Sequence, residues 1–255
     1  MNKDLVTYIE NVLHLRDSFS LISRVDKESE AMKIWARWII THRSLCAQSN
    51  LYLPDDNVYD YQILLELQDK GVTLKYSKFL YEWLRLECNK INNKYTLIST
   101  MEEGGIHGYI PIKESRNISS KSISLTCNNM KQILPLSVYN RMSRLYRSKN
   151  SLPCMKNKYI WLCTTLYSLL DGKGLQWAVP PKIMNILQRD LGCYTELFAS
   201  PLNAYNENYY SLFTFDSAFG SRGNFYEAKD QDFVEGTYQV NPPFIDPLFT
   251  KTTER

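Results

Sequence analysis

The sequence predicts an α+β protein, with helices through residue 191 followed by the first strands of an α/β part. Three observations carry this prediction. Apolar residues recur with a period of about 3.6 in successive segments up to residue 190. At Gly192 the pattern changes to short apolar stretches bounded by Gly, Ser and Pro. The second of these stretches, Phe233 to Val240, runs directly into Asn241-Pro242-Pro243-Phe244.

Taken in order, residues 4–15 place Leu5, Ile9, Val12 and Leu13 on one helical face, and residues 27–48 repeat this with Ala31, Ile34, Trp35, Trp38, Ile39 and Leu45. A tryptophan pair at that spacing belongs to a core, so no binding pocket is assigned to it or to the flanking Arg37 and Arg43. Residues 56–70 are helical by period and end at Gly71. Ser77 is placed to cap a helix reaching Asn89. Tyr95 to Thr100 reads as a short strand, and residues 102–124, rich in Gly, Ser, Asn and Lys, read as an unpatterned loop. A helix is predicted over 126–147 with a break at Pro135, and further helices over 157–170 and 180–190, the last started by Pro180-Pro181. Tyr194 to Ala199 and Phe233 to Val240 are the strands, and the aromatic, turn-rich residues 203–226 lie between them.

Hydrophobic residues make up 44% and charged residues 22% of 255, which supports a packed core and excludes a disordered composition. The net charge is +3, but unevenly spread: residues 1–191 carry 26 Lys and Arg against 18 Asp and Glu, and residues 192–255 carry 4 against 9. A basic body of this kind suits a polyanion. Arg141, Arg144 and Arg147 recur every three residues, with Lys149, Lys156 and Lys158 close behind; they are candidates for tracking RNA phosphates, with a solvated helix face as the alternative. The six cysteines include no Cys-x-x-Cys pair, and His14, His42 and His107 are scattered, so no metal site is expected. The start, MNKDLVTYIENVLHL, is not a signal peptide, and no run of 18 apolar residues exists. The expected setting is a reducing one, nucleus or cytoplasm, without secretion or membrane insertion.

Asn-Pro-Pro-Phe at the end of a strand is the pattern of amino-group methyltransferases acting on adenine, or sometimes on cytosine or glutamine. The exocyclic nitrogen of adenine is a poor nucleophile because its lone pair is delocalised into the ring. Two acceptors aimed at its hydrogens localise that pair toward a methyl donor. The side-chain oxygen of Asn241 supplies one, and the carbonyl of Pro242, held between two fixed φ angles, supplies the other. Phe244 can stack on the base, a contact worth about 1–3 kcal/mol. No general base is needed, so positioning and electrostatics carry the catalysis. The structural alternative is an ordinary tight turn.

Together, GLQWAVPPKIM (174–184), LFASPLNAY (197–205), FGSRGNF (219–225) and EGTYQVNPPFIDPLF (235–249) resemble, in order and spacing, the phosphorylated-CTD-interacting-factor family, the cap-specific adenosine-N6 methyltransferases of eukaryotic mRNA. The resemblance implies a helical RNA- or cap-binding domain over 1–156. It also implies part of a Rossmann-like S-adenosylmethionine-dependent domain over 157–255, acting as an mRNA (2′-O-methyladenosine-N6-)-methyltransferase on capped RNA. Asn241, Pro242, Pro243 and Phe244 would then be the catalytic turn. Ser200, Pro201 and Asn203, with Gly220, Ser221, Arg222 and Gly223, would hold the donor, and Asp246 would contact substrate. For the two donor loops the alternative is an ordinary turn, and for Arg222 a surface ion pair.

The chain departs from the family in three ways. No tryptophan pair at WW-module spacing precedes the helices, so binding to the polymerase C-terminal domain is not expected. Trp177 stands where the family has a small residue. Eleven residues follow Phe244, fewer than the remaining strands of such a sheet need, so a fragment, a second chain or a lost activity is expected. Two further functions stay open: a non-catalytic RNA-binding or scaffold protein, and an adenine-N6 methyltransferase acting on DNA or internal RNA.

Overall fold

A computed structural model describes residues 3–45, 52–54, 61–94, 111–149, 153–170, 178–233 and 235–254. It mixes helices with short strands, as an α+β sequence should. The chain divides into two compact units, residues 1–110 with 166–173, and residues 111–165 with 174–255.

The first unit is built on α1 (Lys3–Ile22), α2 (Glu28–Leu45), α3 (Tyr61–Asp69) and α4 (Leu74–Lys94). Its core takes Leu5, Ile9, Val12 and Phe19 from α1, Ile34, Trp35, Trp38 and Ile39 from α2, and Leu80 and Leu84 from α4. The tryptophan stripe is therefore core, as its spacing predicts, with the two rings meeting edge-on at 5.7 Å. Tyr8 is fully buried, and its hydroxyl donates to Asn92 Oδ1 (3.2 Å) while accepting from the Leu53 N–H (3.1 Å). Asn92 Nδ2 in turn donates to the carbonyls of Leu53 and Pro54, so a short polar chain ties α1 and α4 to residues 53–54. Gly71, at φ +82°, ends α3, with the Val72 N–H returning to the Leu67 carbonyl at 3.0 Å. Ser77 is not the cap of α4: it is buried one turn inside, and Thr73 accepts from the Tyr76 N–H instead. The strand expected over 95–100 lies outside the described residues.

The second unit opens with the largest departure from the sequence reading. Residues expected as loop and helix form a three-stranded antiparallel sheet, β1 (Lys113–Asn117), β2 (Ser122–Cys127) and β3 (Met130–Pro135), in the order β1-β2-β3. Ile123, Leu125 and Cys127 alternate inward along β2, a period of two that three small apolar side chains among serines and threonine announce only faintly. Asn128, at φ +50°, makes the two-residue turn to β3, a conformation asparagine tolerates. Pro135 does not kink a helix; it ends β3, and α5 (Leu136–Lys149) starts immediately after it.

Then follow α6 (Lys156–Ser168) and α7 (Pro181–Leu191). Pro181 stands at the first turn of α7, where a missing N–H costs nothing, and Gly192, at φ +63°, closes it. The strands after Gly192 are shorter than predicted: β4 (Thr195–Glu196), β5 (Asn208–Tyr209) and β6 (Tyr238–Gln239). They form a parallel sheet in the order β5-β4-β6. The chain ends in α8 (Asp246–Glu254). Among the described residues no metal-ligating cluster is present, and no helix is long and apolar enough to cross a membrane.

Candidate functional site

The parallel sheet sets the geometry of the site. β4 is central, with β5 on one side and β6 on the other. The Leu197 N–H donates to the Gln239 carbonyl at 2.9 Å, so β4 and β6 stay paired to the point where both turn away. The segments leaving them, residues 198–203 and 240–244, therefore start from one sheet edge on strands about 5 Å apart.

Ser200, Pro201 and Asn203 form the turn after β4. Asn203 Oδ1 accepts from both the Ser200 N–H (2.7 Å) and the Ser200 hydroxyl (3.0 Å). The Ser200 carbonyl accepts in return from the N–H groups of Asn203 (3.0 Å) and Ala204 (2.8 Å). The turn is thus locked by its own side chains.

Gly220, Ser221, Arg222 and Gly223 do not form a free loop. The Arg222 N–H donates to the Tyr209 carbonyl (2.9 Å), and the Ser211 N–H donates to the Gly223 carbonyl (2.8 Å), which lays this segment parallel to β5 as a further row of the sheet. The hydroxyls of Ser221 and Ser211 share a hydrogen bond at 2.6 Å. The Arg222 guanidinium reaches Asn208 Oδ1 at 3.2 Å. Gly220 and Gly223 sit at φ +94° and +93°, which accounts for glycine at both. This segment lies on the far side of β5, two strand spacings from β4 and three from β6.

The Asn241–Phe244 corner follows β6. Pro242 is buried, Asn241 is half-buried and Phe244 is 74% exposed. Neither the Asn241 side chain nor the Pro242 carbonyl is hydrogen-bonded among the described residues, whereas the Pro243 carbonyl accepts from the Ile245 N–H at 2.8 Å. Ile245 and Leu248 anchor the corner and the start of α8 in the core, and Asp246 is exposed in the first turn of that helix, where its charge suits the helix N-terminus.

Beside the corner lies a buried polar set that the sequence did not announce. Glu196, on β4, accepts from the Tyr205 (2.8 Å) and Asn206 (2.7 Å) N–H groups. Burial pushes its carboxyl above the usual range, while those two N–H groups and the Arg141 charge pull it back. Asn206 Nδ2 and Gln239 Oε1 are buried without a hydrogen-bond partner among the described residues. A glutamate inside the predicted strand Tyr194 to Ala199 gives no sign in the sequence that it faces inward.

The three arginines of α5 separate. Arg141 turns inward: its Nε and one terminal nitrogen are buried without partners among the described residues, and burial lowers its pKa against the opposing charge of Glu196. Arg144 is exposed and lines a cavity of about 370 Å³ with Arg116, Tyr139, Asn140, Ser143 and Lys156. Arg147 lies in α5, and its side chain is outside the described residues. The antiparallel sheet brings Arg116 to the cavity, so missing β1 in the sequence meant missing this group as well.

Comparison with known proteins gives two findings. Residues 141–255 match the family described as "Phosphorylated CTD interacting factor 1 WW domain". The match begins within α5 and runs through α8; it does not include a segment preceding the first helices. The chain is also similar to two proteins named "mRNA (2'-O-methyladenosine-N(6)-)-methyltransferase", from Mus musculus and Homo sapiens. Each is 41% identical over 81 residues, which is 31% of this chain and 11% of the relative.

Proposed function

We propose that the chain, which matches the phosphorylated CTD interacting factor family through residues 141–255, takes part in S-adenosylmethionine-dependent N6-methylation of adenosine in RNA, at the cap-adjacent 2′-O-methyladenosine. The observation that carries this reading is the corner at 241–244. Its two acceptors, the Asn241 amide oxygen and the Pro242 carbonyl, are spent on nothing among the described residues, and an exposed aromatic ring stands beside them. A structural turn of the same sequence would be expected to use its amide internally.

The sheet order supports a Rossmann-like reading. In parallel sheets with helices, ligands bind beyond the carboxyl ends of the strands where connections leave in opposite directions. With β4 between β5 and β6, that place is the β4–β6 boundary, where the Ser200 and Asn241 segments emerge.

The polar groups at this end of the sheet support a place for S-adenosylmethionine. The Ser200–Asn203 turn would hold it at the end of β4, with the Asn203 amide nitrogen, unbonded among the described residues, available to an acceptor. Asn206 and Gln239 offer a buried donor and a buried acceptor close to the same strands. Glu196 is committed to two backbone N–H groups and is a positioning residue for the 205–206 segment. Gly220 to Gly223 would border the site from beyond β5. S-adenosylmethionine supplies an electrophilic methyl group. Asn241 and Pro242 orient the adenine amine by accepting its two N–H bonds, and Phe244 holds the ring in place. The fixed proline carbonyl needs no reorganisation as positive charge grows on nitrogen.

The test is transfer of labelled methyl from S-adenosylmethionine to RNA whose capped first nucleotide is 2′-O-methyladenosine. Transfer to that position, lost at least a hundredfold in Asn241→Ala with RNA binding retained, is the expected result. Transfer to internal adenosines or DNA alone would overturn the cap assignment. Cellular effects that survive Asn241→Ala unchanged would make the chain a non-catalytic RNA binder.

A further inference from the structure

We propose that the second unit holds a phosphate-binding pocket for the RNA backbone, formed by Arg116 of β1, Tyr139, Asn140, Ser143 and Arg144 of α5, and Lys156 at the start of α6. The inference rests on the reading above for the identity of the polyanion; the pocket's preference for phosphate rests on its own chemistry.

Three of the six lining residues are cations. The acid beside them is Glu114, which pairs with Arg116 at 2.9 Å. Glu114 also accepts from Asn157 Nδ2 (2.7 Å), and the Tyr139 hydroxyl donates to Asn157 Oδ1 (2.8 Å). Burial acts to raise its pKa, but the Arg116 and Asn157 hydrogen bonds and the charges of Arg116 and Lys156 outweigh it and hold the carboxyl ionised. One carboxylate thus faces three cations. Arg144 and Lys156 form no ion pair among the described residues. Lys156 Nζ instead sits 5.0 Å above the ring of buried Tyr139, which fixes the ammonium without neutralising it.

A second, independent observation points to a ligand. Ser143 is 7% exposed, and its hydroxyl is buried without a hydrogen-bond partner among the described residues. Buried hydroxyls are ordinarily satisfied, and a phosphate oxygen would complete this one. Ser143 and Arg144 lie one helical turn beyond Tyr139 and Asn140, so a single face of α5 presents a hydroxyl, an amide and a guanidinium together. The volume, about 370 Å³, is at the small end of ligand clefts and exceeds the needs of one small ion. It suits a phosphate together with part of its sugar.

The experiment measures binding of fluorescently labelled ten-nucleotide RNA, capped and uncapped, to the full chain across a salt series. For Arg144→Gln with Lys156→Gln we expect at least tenfold weaker binding at low salt, and a slope of log K against log salt shallower by about 1.4, the value for two phosphate contacts on a single strand. Equal loss on both RNAs assigns the pocket to backbone phosphodiesters. Loss on capped RNA alone assigns it to the cap's triphosphate bridge and still supports a phosphate site. Unchanged affinity and slope on both RNAs would overturn the proposal. So would an equal loss in the charge-matched pair Lys75→Gln with Lys78→Gln, exposed on α4 of the other unit. Ser143→Ala, which removes no charge, should weaken binding about threefold (~0.6 kcal/mol); it keeps the proposal testable if the double variant does not fold. Equilibrium dialysis with S-adenosylmethionine alone should be unaffected by the pocket variants. A pocket failure therefore appears as lost RNA-binding effects with cofactor binding intact. Failure of the methyltransferase reading appears as absent methyl transfer whatever the RNA affinity.

Discussion

Asn203 Oδ1 holds both the N–H and the hydroxyl of Ser200, at 2.7 and 3.0 Å, and so closes the turn that leaves the central strand of the parallel sheet. Asn203→Ala removes the acceptor for two groups of a residue that is 2% exposed. The expected loss is about 1–3 kcal/mol of unfolding free energy by urea denaturation. Asn203→Asp keeps the acceptor and should recover most of it. On the proposed function, the alanine variant also binds S-adenosylmethionine more weakly in equilibrium dialysis.

Phe244→Ala should separate folding from function. The ring is 74% exposed, so unfolding free energy should move by less than about 0.5 kcal/mol. On the proposed function, loss of base stacking should lower kcat/KM for capped RNA by about 1–3 kcal/mol of transition-state stabilisation, roughly five- to 150-fold. A stability loss larger than the activity loss would return Phe244 to a structural role.

Glu196 gives a pH signature. Its folded pKa is raised, chiefly by burial. The native state therefore binds its proton more tightly than the unfolded chain does. The associated stability is fully present below the unfolded pKa, near 4.5, and is lost as pH rises through the folded value. Glu196→Gln keeps an acceptor for the Tyr205 and Asn206 N–H groups and removes the charge. The wild type should lose stability relative to this variant as pH rises through that window, with no difference in slope above it. Urea titrations of both proteins at a series of pH values check this.

Gly192→Ala tests the end of α7. The residue stands at φ +63°, and a Cβ there would meet nothing within 4 Å. The cost is therefore conformational, about 1–2 kcal/mol, and should appear as a lowered midpoint without a changed slope in urea.

The helices were legible because burial imposes a long period on many residues. Leu5, Ile9 and Val12, or Ile34, Trp35 and Trp38, repeat a face often enough to be read without a partner. The hairpin sheet was not legible, because Ile123, Leu125 and Cys127 give only three inward positions, separated by Ser and Thr. Ser77 and Thr73 show a different limit: either can cap a helix, and the choice is made by which one the core buries. At the candidate site, the place of Asn-Pro-Pro-Phe directly after a strand was readable from the residue pattern. The inward turn of Arg141, the outward turn of Arg144 and the buried Glu196 depend on contacts between segments far apart in sequence.

The Asn241 side chain gives the fold no hydrogen bond among the described residues. Its replacement should therefore leave folding, abundance and proteolytic resistance untouched. Drift at this position would be invisible to every selection except one for chemistry. On the proposed function, asparagine kept in a natural variant of this chain would record a working reaction, and another residue there would mark a lineage that keeps the scaffold without methyl transfer.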